Sequence, residues 1–190
     1  MGNKDGYIRQ AWLVLVLAAC FGAALAGVHV GLADRIEANK LGDTLEQVPA
    51  LVSGAVEGRA ETVGGRTVYR AVDRPGRCVG WVVPAGGQGF ADRIELLIGL
   101  DAKAQTITGL YVLEQKETPG LGNRIEDAAW RRQFASKSTA RVLAVTKAQT
   151  PGENEIQAVT GATVSSQSVT DIVNDAVARF RAELPAVSEH

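Results

Sequence analysis

The chain has 190 residues, 46% of them hydrophobic, and its 20 basic and 21 acidic side chains leave a formal net charge of −1. That length suits one domain with material left for an anchor or tail, and the interspersed charge lacks the basic field that draws a protein onto nucleic acid. Cys20 and Cys78 are too far apart to read as a metal or disulfide framework. His29 and His190 assemble neither a metal site nor a Ser-His-Asp base, so no catalytic residue and no metal ligand is expected.

Residues 1–10 read as a short cytoplasmic segment. From Ala11 to Ala33 no charged residue occurs. As a helix, this stretch would be roughly 34 Å long, enough to cross a bilayer. Trp12, with Tyr7 just outside, fits an interfacial aromatic anchor. Ala18, Ala19, Gly22, Ala23, Ala26 and Gly27 recur at spacings of three and four, a face that admits another transmembrane helix. Ala24-Leu25-Ala26 has the form of a signal-peptidase site, but the apolar run continues through Val28, Val30 and Leu32, which favours a retained anchor. Lys4 and Arg9 precede the span with one acid, Asp5, whereas the residues after it are mixed in sign. That bias favours the N-terminus inside and the large domain outside.

Beyond the span, residues 34–65 read as a connector. Asp34–Lys40 continues the helix, Leu41–Leu51 forms a second short helix broken by Pro49, and Ser53–Gly65 is a Gly-rich loop. Residues 66–184 read as the main domain. Strands are expected over Arg66–Val72, Arg77–Val83, Arg93–Leu100 and Thr106–Leu113, with Pro84–Gly89 separating two of them. Asp101–Gln105 suits a hairpin connection. Glu126–Ala135 reads as a helix with Trp130 and Phe134 on one face, and Arg141–Thr146 as a further strand. Ser168–Leu184 has the clearest helical periodicity, with Ser168 and Asp171 as a capping box. Residues 185–190 form a tail. The sum is an α+β domain with a mostly antiparallel sheet flanked by helices, behind a single N-terminal transmembrane helix. Trp81, Trp130 and Phe134 read as core packing, Cys78 as a buried strand residue, and Arg131-Arg132 as a solvated helix face.

Two segments have compositions that packing does not explain. In Glu117-Thr118-Pro119-Gly120-Leu121-Gly122, Pro119 and two glycines fix a tight backbone that a flat ligand can approach. In Thr160-Gly161-Ala162-Thr163-Val164-Ser165-Ser166, hydroxyls and small residues precede a helix, a pattern that holds anions through free backbone N–H groups and the helix dipole.

Together with the anchor, these segments resemble the FMN-binding domain found in the G subunit of the Rnf electron-transport complex and in the C subunit of the sodium-pumping NADH:quinone reductase. The compact length is more similar to the former. The resemblance implies FMN esterified through its phosphate to Thr163 by a separate flavin transferase, with Thr160, Ser165, Ser166 and the amides around Gly161 and Ala162 holding phosphate oxygens. It also implies that Glu117 to Gly122 lie near the isoalloxazine ring, Glu117 and Thr118 bonding its polar edge beside Gly120, Leu121 and Gly122. The chain departs from the family at Gln157, where an acidic residue usually stands three positions before the first Ser/Thr. An uncharged Gln preserves a hydrogen bond but no charge contact to the transferase or its metal.

The function implied is electron relay without independent turnover, inside an ion-translocating ferredoxin:NAD oxidoreductase at the inner membrane. The partners would be the other subunits of that complex, with the flavin domain on the extracytoplasmic side. Two further readings stand beside it: a membrane-anchored flavin-binding sensor, or an anion-binding structural protein.

Overall fold

The computed structural model describes residues 4–184, with backbone alone for 4–10, 33, 34 and 36–38. Residues 1–3 of the expected cytoplasmic segment, the whole expected tail 185–190 and the Tyr7 side chain therefore lie outside the described residues. The chain divides into two compact units, Met1–Gly42 and Asp43–His190.

The first unit is helical throughout its described residues and belongs to α1 (Lys4–Leu51). Within it, Ala11–Leu32 has a mean hydropathy of 2.3 and none of its residues is buried, which makes it a candidate membrane span. Trp12, Leu13, Leu15, Phe21 and Leu25 are all more than half exposed. An apolar surface of that extent is stable only against lipid or protein.

In the second unit the end of α1 contradicts the expected break at Pro49, which lies inside the helix. A proline in the last turn removes only one intrahelical donor, and Val52 N–H still donates to Val48 O at 2.9 Å. Packing compensates for it: Val48, Leu51 and Val52 are buried against Tyr69, Ala71, Val82 and Leu97 on one face of a sheet.

That sheet has five strands in the order β1 (Glu57–Val63), β2 (Arg66–Val72), β3 (Cys78–Gln88), β4 (Arg93–Asp101) and β5 (Ile107–Glu114), every neighbouring pair antiparallel. Strand β1 occupies part of the expected loop. Its register with β2 runs from Glu57↔Val72 to Val63↔Arg66, closed by Gly64-Gly65 with φ of 55° and 75°. Two positive φ values are what a two-residue hairpin turn with the strands' own twist requires. Strand β3 also runs through the expected break, with Pro84 opposite Leu97 and Gly87 opposite Ile94. Its pairing with β2 ends at Val82, so Pro84 stands where only one neighbour remains, as an edge proline does.

The second core lies between the other sheet face and α3 (Thr163–Glu183). Ile94, Leu96, Ile98 and Leu100 of β4 meet Val169, Val173, Val177 and Phe180, and Trp81 packs on Phe180 with ring centroids 5.5 Å apart. Strand β4 is buried on both faces and therefore reads as a nearly continuous apolar run. The expected helix over 126–135 is three short pieces: a 3₁₀ turn Gly122–Glu126, α2 (Ala128–Arg131) and a 3₁₀ turn Arg132–Phe134. Trp130 and Phe134 are buried and in edge-to-face contact at 5.3 Å, as expected of core residues. The expected strand 141–146 shortens to β6 (Ala144–Thr146), which pairs in parallel with β7 (Glu155–Gln157). Helix α3 begins at Thr163, so Ser168 and Asp171 lie inside it and form no capping box. The apolar period that marks this helix starts only at Val169, which hides its first turn.

Candidate functional site

Beyond β5 the chain makes the turn Thr118–Leu121, in which Leu121 N–H donates to Thr118 O at 3.2 Å and Gly120 takes φ 77°. Pro119 followed by glycine at positive φ is the chemistry of a type II turn. Asn123 Oδ1 accepts the Gly120 N–H at 2.8 Å and holds the loop from below.

The second segment leads into α3. Gly161 has φ 84°, and Ala162 N–H donates back to Val159 O at 2.9 Å, which turns the chain into the helix. Ala162 is the N-cap and carries no side-chain capping bond. The first turn-closing bond is Ser166 N–H to Ala162 O at 3.0 Å. Helix geometry thus leaves the amides of Thr163, Val164 and Ser165 without intrahelical acceptors, at the positive end of a 21-residue helix. Thr163 is half-buried at the first helical position, and Thr160 and Gly161 are exposed beside it.

The two serines behave differently from expectation. Ser165 donates its hydroxyl proton to Glu117 Oε2 at 2.5 Å, and Ser166 donates to Ala162 O at 2.9 Å while accepting from Val159 N–H at 3.0 Å. Both side chains are buried and each has spent its one hydroxyl donor inside the protein. Of the two, Ser165 lies at the cleft described below and Ser166 behind it.

Glu117 is also turned inward. It is 4% exposed, and its other carboxylate oxygen accepts from Ala91 N–H at 3.0 Å. The carboxylate ties together the turn 89–92, its own loop and the first turn of α3. Its position explains two glycines. A Cβ at Gly89 would lie 2.4 Å from Glu117 Oε1, and one at Gly122 would lie 2.9 Å from both Glu117 Oε2 and Ser165 Oγ. Glu117 thus supports the loop from inside, whereas Thr118 is exposed and lines the cleft.

These segments enclose a cleft of about 430 Å³ lined by Phe90, Thr118, Leu121, Gly122, Gly161, Ala162, Thr163, Val164 and Ser165. All four contiguous residues from Gly161 to Val164 line it, so the two motifs far apart in sequence meet in one place. Sequence reasoning missed Phe90 and Val164, which are 63% and 54% exposed at its rim. A lone Phe in a polar turn carries no periodic signal. A larger cleft of about 490 Å³ lies farther along α3 against β3, but it contains none of the motif residues. Two of its arginines are already ion-paired, Arg93 with Glu95 and Arg179 with Asp175. The chemistry singles out the smaller cleft.

Gln157 ends β7 at the approach to Thr160. Its carbonyl accepts from Trp130 Nε1 at 2.8 Å and its N–H donates to Gln133 Oε1 at 2.8 Å, so its backbone is fixed. Arg131 is not a merely solvated side chain: it donates to Glu126 O and Leu110 O, both at 2.9 Å, and lies over the Tyr111 ring. Cys78 is half-buried where a buried strand residue is expected, and burial pushes its thiol above the ordinary range.

The cleft fits a flavin mononucleotide. It combines apolar walls for a flat ring, unpaired amides at a helix N-terminus for a phosphate, and one exposed-side hydroxyl at that same terminus. The FMN-binding domain family profile matches residues 89–178, from the Phe90 turn through most of α3. The G subunit of the Na(+)-translocating ferredoxin:NAD(+) oxidoreductase complex of Acetobacterium woodii is 42% identical over 101 residues, covering 52% of this chain and 48% of that protein. The G subunit of the ion-translocating oxidoreductase complex of Methanosarcina acetivorans is 37% identical over 109 residues, covering 57% and 55%. The chain spans about half the length of these curated relatives. Among solved structures, NqrC of Shewanella oneidensis has the same fold, with a TM-score of 0.55 at 22% identity over 70% of this chain and 72% of that one. The stretch that matches the FMN-binding domain family, residues 89–178, contains both motifs and every residue that lines the cleft.

Proposed function

We propose that this chain is a membrane-anchored electron-transfer component of an ion-translocating, Rnf-type ferredoxin:NAD oxidoreductase, with FMN joined through its phosphate to Thr163 Oγ1. The observation that carries the reading is the position of Thr163: the first residue of α3, beside free amides, opening on an apolar cleft. The amides of Thr163, Val164 and Ser165 would bind phosphate oxygens, and the helix dipole would stabilise their charge. Leu121, Val164 and Phe90 would exclude water from one side of the ring. Bound there, FMN supplies one- and two-electron transfer, while the protein sets its position and potential.

Ala11–Leu32 is read as the anchor, N-terminus inside, with the flavin domain outside the cytoplasm, where an ester tether prevents cofactor loss. The small-residue face of the span suits packing against partner subunits. A separate flavin transferase would form the ester, and electrons would pass between cofactors of neighbouring subunits with no turnover by this chain alone. The relatives above, G subunits of ion-translocating oxidoreductase complexes, support the Rnf-type setting. The C subunit of the Na(+)-translocating NADH-quinone reductase of Vibrio anguillarum is 30% identical over 95 residues and supports the related complex as the second reading. Copurification from the native membrane separates the two: Rnf-type partners support the first, and quinone-reductase partners support the second.

A further inference from the structure

We propose that Phe90 forms one wall of the flavin site and stacks on the isoalloxazine of the FMN carried at Thr163, a contact that Glu117 positions. The inference rests on the FMN reading above and names a ring contact that neither motif contains.

Phe90 is 63% exposed, whereas Trp81, Trp130, Phe134 and Phe180 are buried. A side chain of that size left open at the rim of a cleft gains most from a flat apolar ligand. The cleft it shares with Leu121, Thr163 and Val164 has room of about 430 Å³, within the range of small-ligand sites. The backbone turn that carries the ring is fastened on both sides. Gly89 N–H donates to Asp92 O at 2.8 Å, closing a tight turn around Phe90. Ala91 N–H donates to Glu117 Oε1 at 3.0 Å, and the other Glu117 oxygen is held by Ser165 on α3. The same buried carboxylate thus fastens both the turn that carries Phe90 and the helix that carries Thr163. Ring and tether keep a fixed separation because both are fixed to Glu117. An exposed aromatic on a preorganised turn loses little conformational entropy on contact.

The test replaces Phe90 with a tryptophan, whose indole quenches flavin emission by electron transfer at stacking distance. The full-length chain, Phe90→Trp, and the control Val142→Trp are each coexpressed with a flavin transferase. Val142 is 76% exposed and lies outside the cleft. Two quantities are read for each protein: flavin fluorescence of the denatured gel band, which reports loading, and emission of the folded protein per bound flavin. The expected result is loss of most native emission per bound flavin in Phe90→Trp alone, whatever its loading. Adding Glu117→Gln to Phe90→Trp restores part of that emission per bound flavin, because a neutral amide holds the Ala91 N–H more weakly than a carboxylate. A fluorescent denatured band with unquenched native emission per bound flavin in Phe90→Trp overturns the stacking assignment and leaves the Thr163 ester standing. Quenching that Glu117→Gln does not relieve overturns the positioning role. A dark wild-type band without extractable flavin overturns the FMN reading, and the stacking assignment with it.

Discussion

Replacing Glu117 tests whether the two motifs are held together by one buried carboxylate. Glu117→Ala strands two donors, the Ala91 N–H at 3.0 Å and the Ser165 hydroxyl at 2.5 Å. Hydrogen bonds to charged groups contribute about 1.5–3 kcal/mol each. The truncation also leaves a small cavity, and together these losses come to about 3–5 kcal/mol. For a domain of this size, that lowers Tm by roughly 10 °C. Thermal unfolding of the detergent-solubilised chain, followed by the emission of the buried Trp81 and Trp130, measures it. The sharper assay is a double-mutant cycle with Ser165→Ala, whose coupling energy isolates the pair. A coupling of about 1.5–3 kcal/mol is expected for a bond to a charged acceptor. A value under about 0.5 kcal/mol, the usual error of additivity, would refute the buried pair and the three-way attachment built on it.

Gly122→Ala would force a Cβ to within 2.8 Å of Glu117 Cβ and 2.9 Å of Ser165 Oγ, so it should destabilise the domain by about 1–3 kcal/mol and lower flavin loading; thermal unfolding and gel fluorescence check both. Gln157→Asp should raise the extent of flavinylation by restoring the acid that the transferase contacts, because the backbone at this position is already fixed by Trp130 and Gln133; an unchanged band intensity would make the Gln harmless. Burial raises the Cys78 thiol above its ordinary value, so its contribution to stability is full below the unfolded thiol pKa and is lost as pH rises through the folded one. Alkylation should therefore be slow at neutral pH and accelerate only above the ordinary thiol range, as mass spectrometry over a pH series would register.

The parts of the fold most legible in the sequence are those whose burial imposes a period. The later turns of α3 expose that period directly, β4 shows the unbroken apolar run of a strand covered on both faces, and Trp81, Trp130 and Phe134 are large rings that only a core can cover. Strand β1 was hidden because Glu57, Arg59 and Glu61 keep it polar at an edge, leaving only Gly64-Gly65 as a hairpin signal. Pro49 and Pro84 misled for a common reason: each lies at a helix end or strand edge where a missing N–H costs little. Strands β6 and β7 have three residues each, too few for any pattern. At the site, the turn glycines and Thr163 were legible because unusual backbone and hydroxyl chemistry concentrate there. Hydrogen-bond partners were not, since the bond from Ser165 to Glu117 joins residues 48 positions apart. Nothing local could reveal that these two side chains face each other.

The central claim is the ester at Thr163, and peptide mass spectrometry addresses it most directly. After coexpression with a flavin transferase, trypsin should release the peptide from Ala148 to Arg179, which contains Thr163 and no internal Lys or Arg. This peptide is expected at the mass of the chain segment plus FMN less one water, with fragmentation assigning the addition to Thr163 and the addition lost in a folded Thr163→Val protein. An unmodified peptide from a flavin-loaded preparation, or FMN on any other residue, would contradict it.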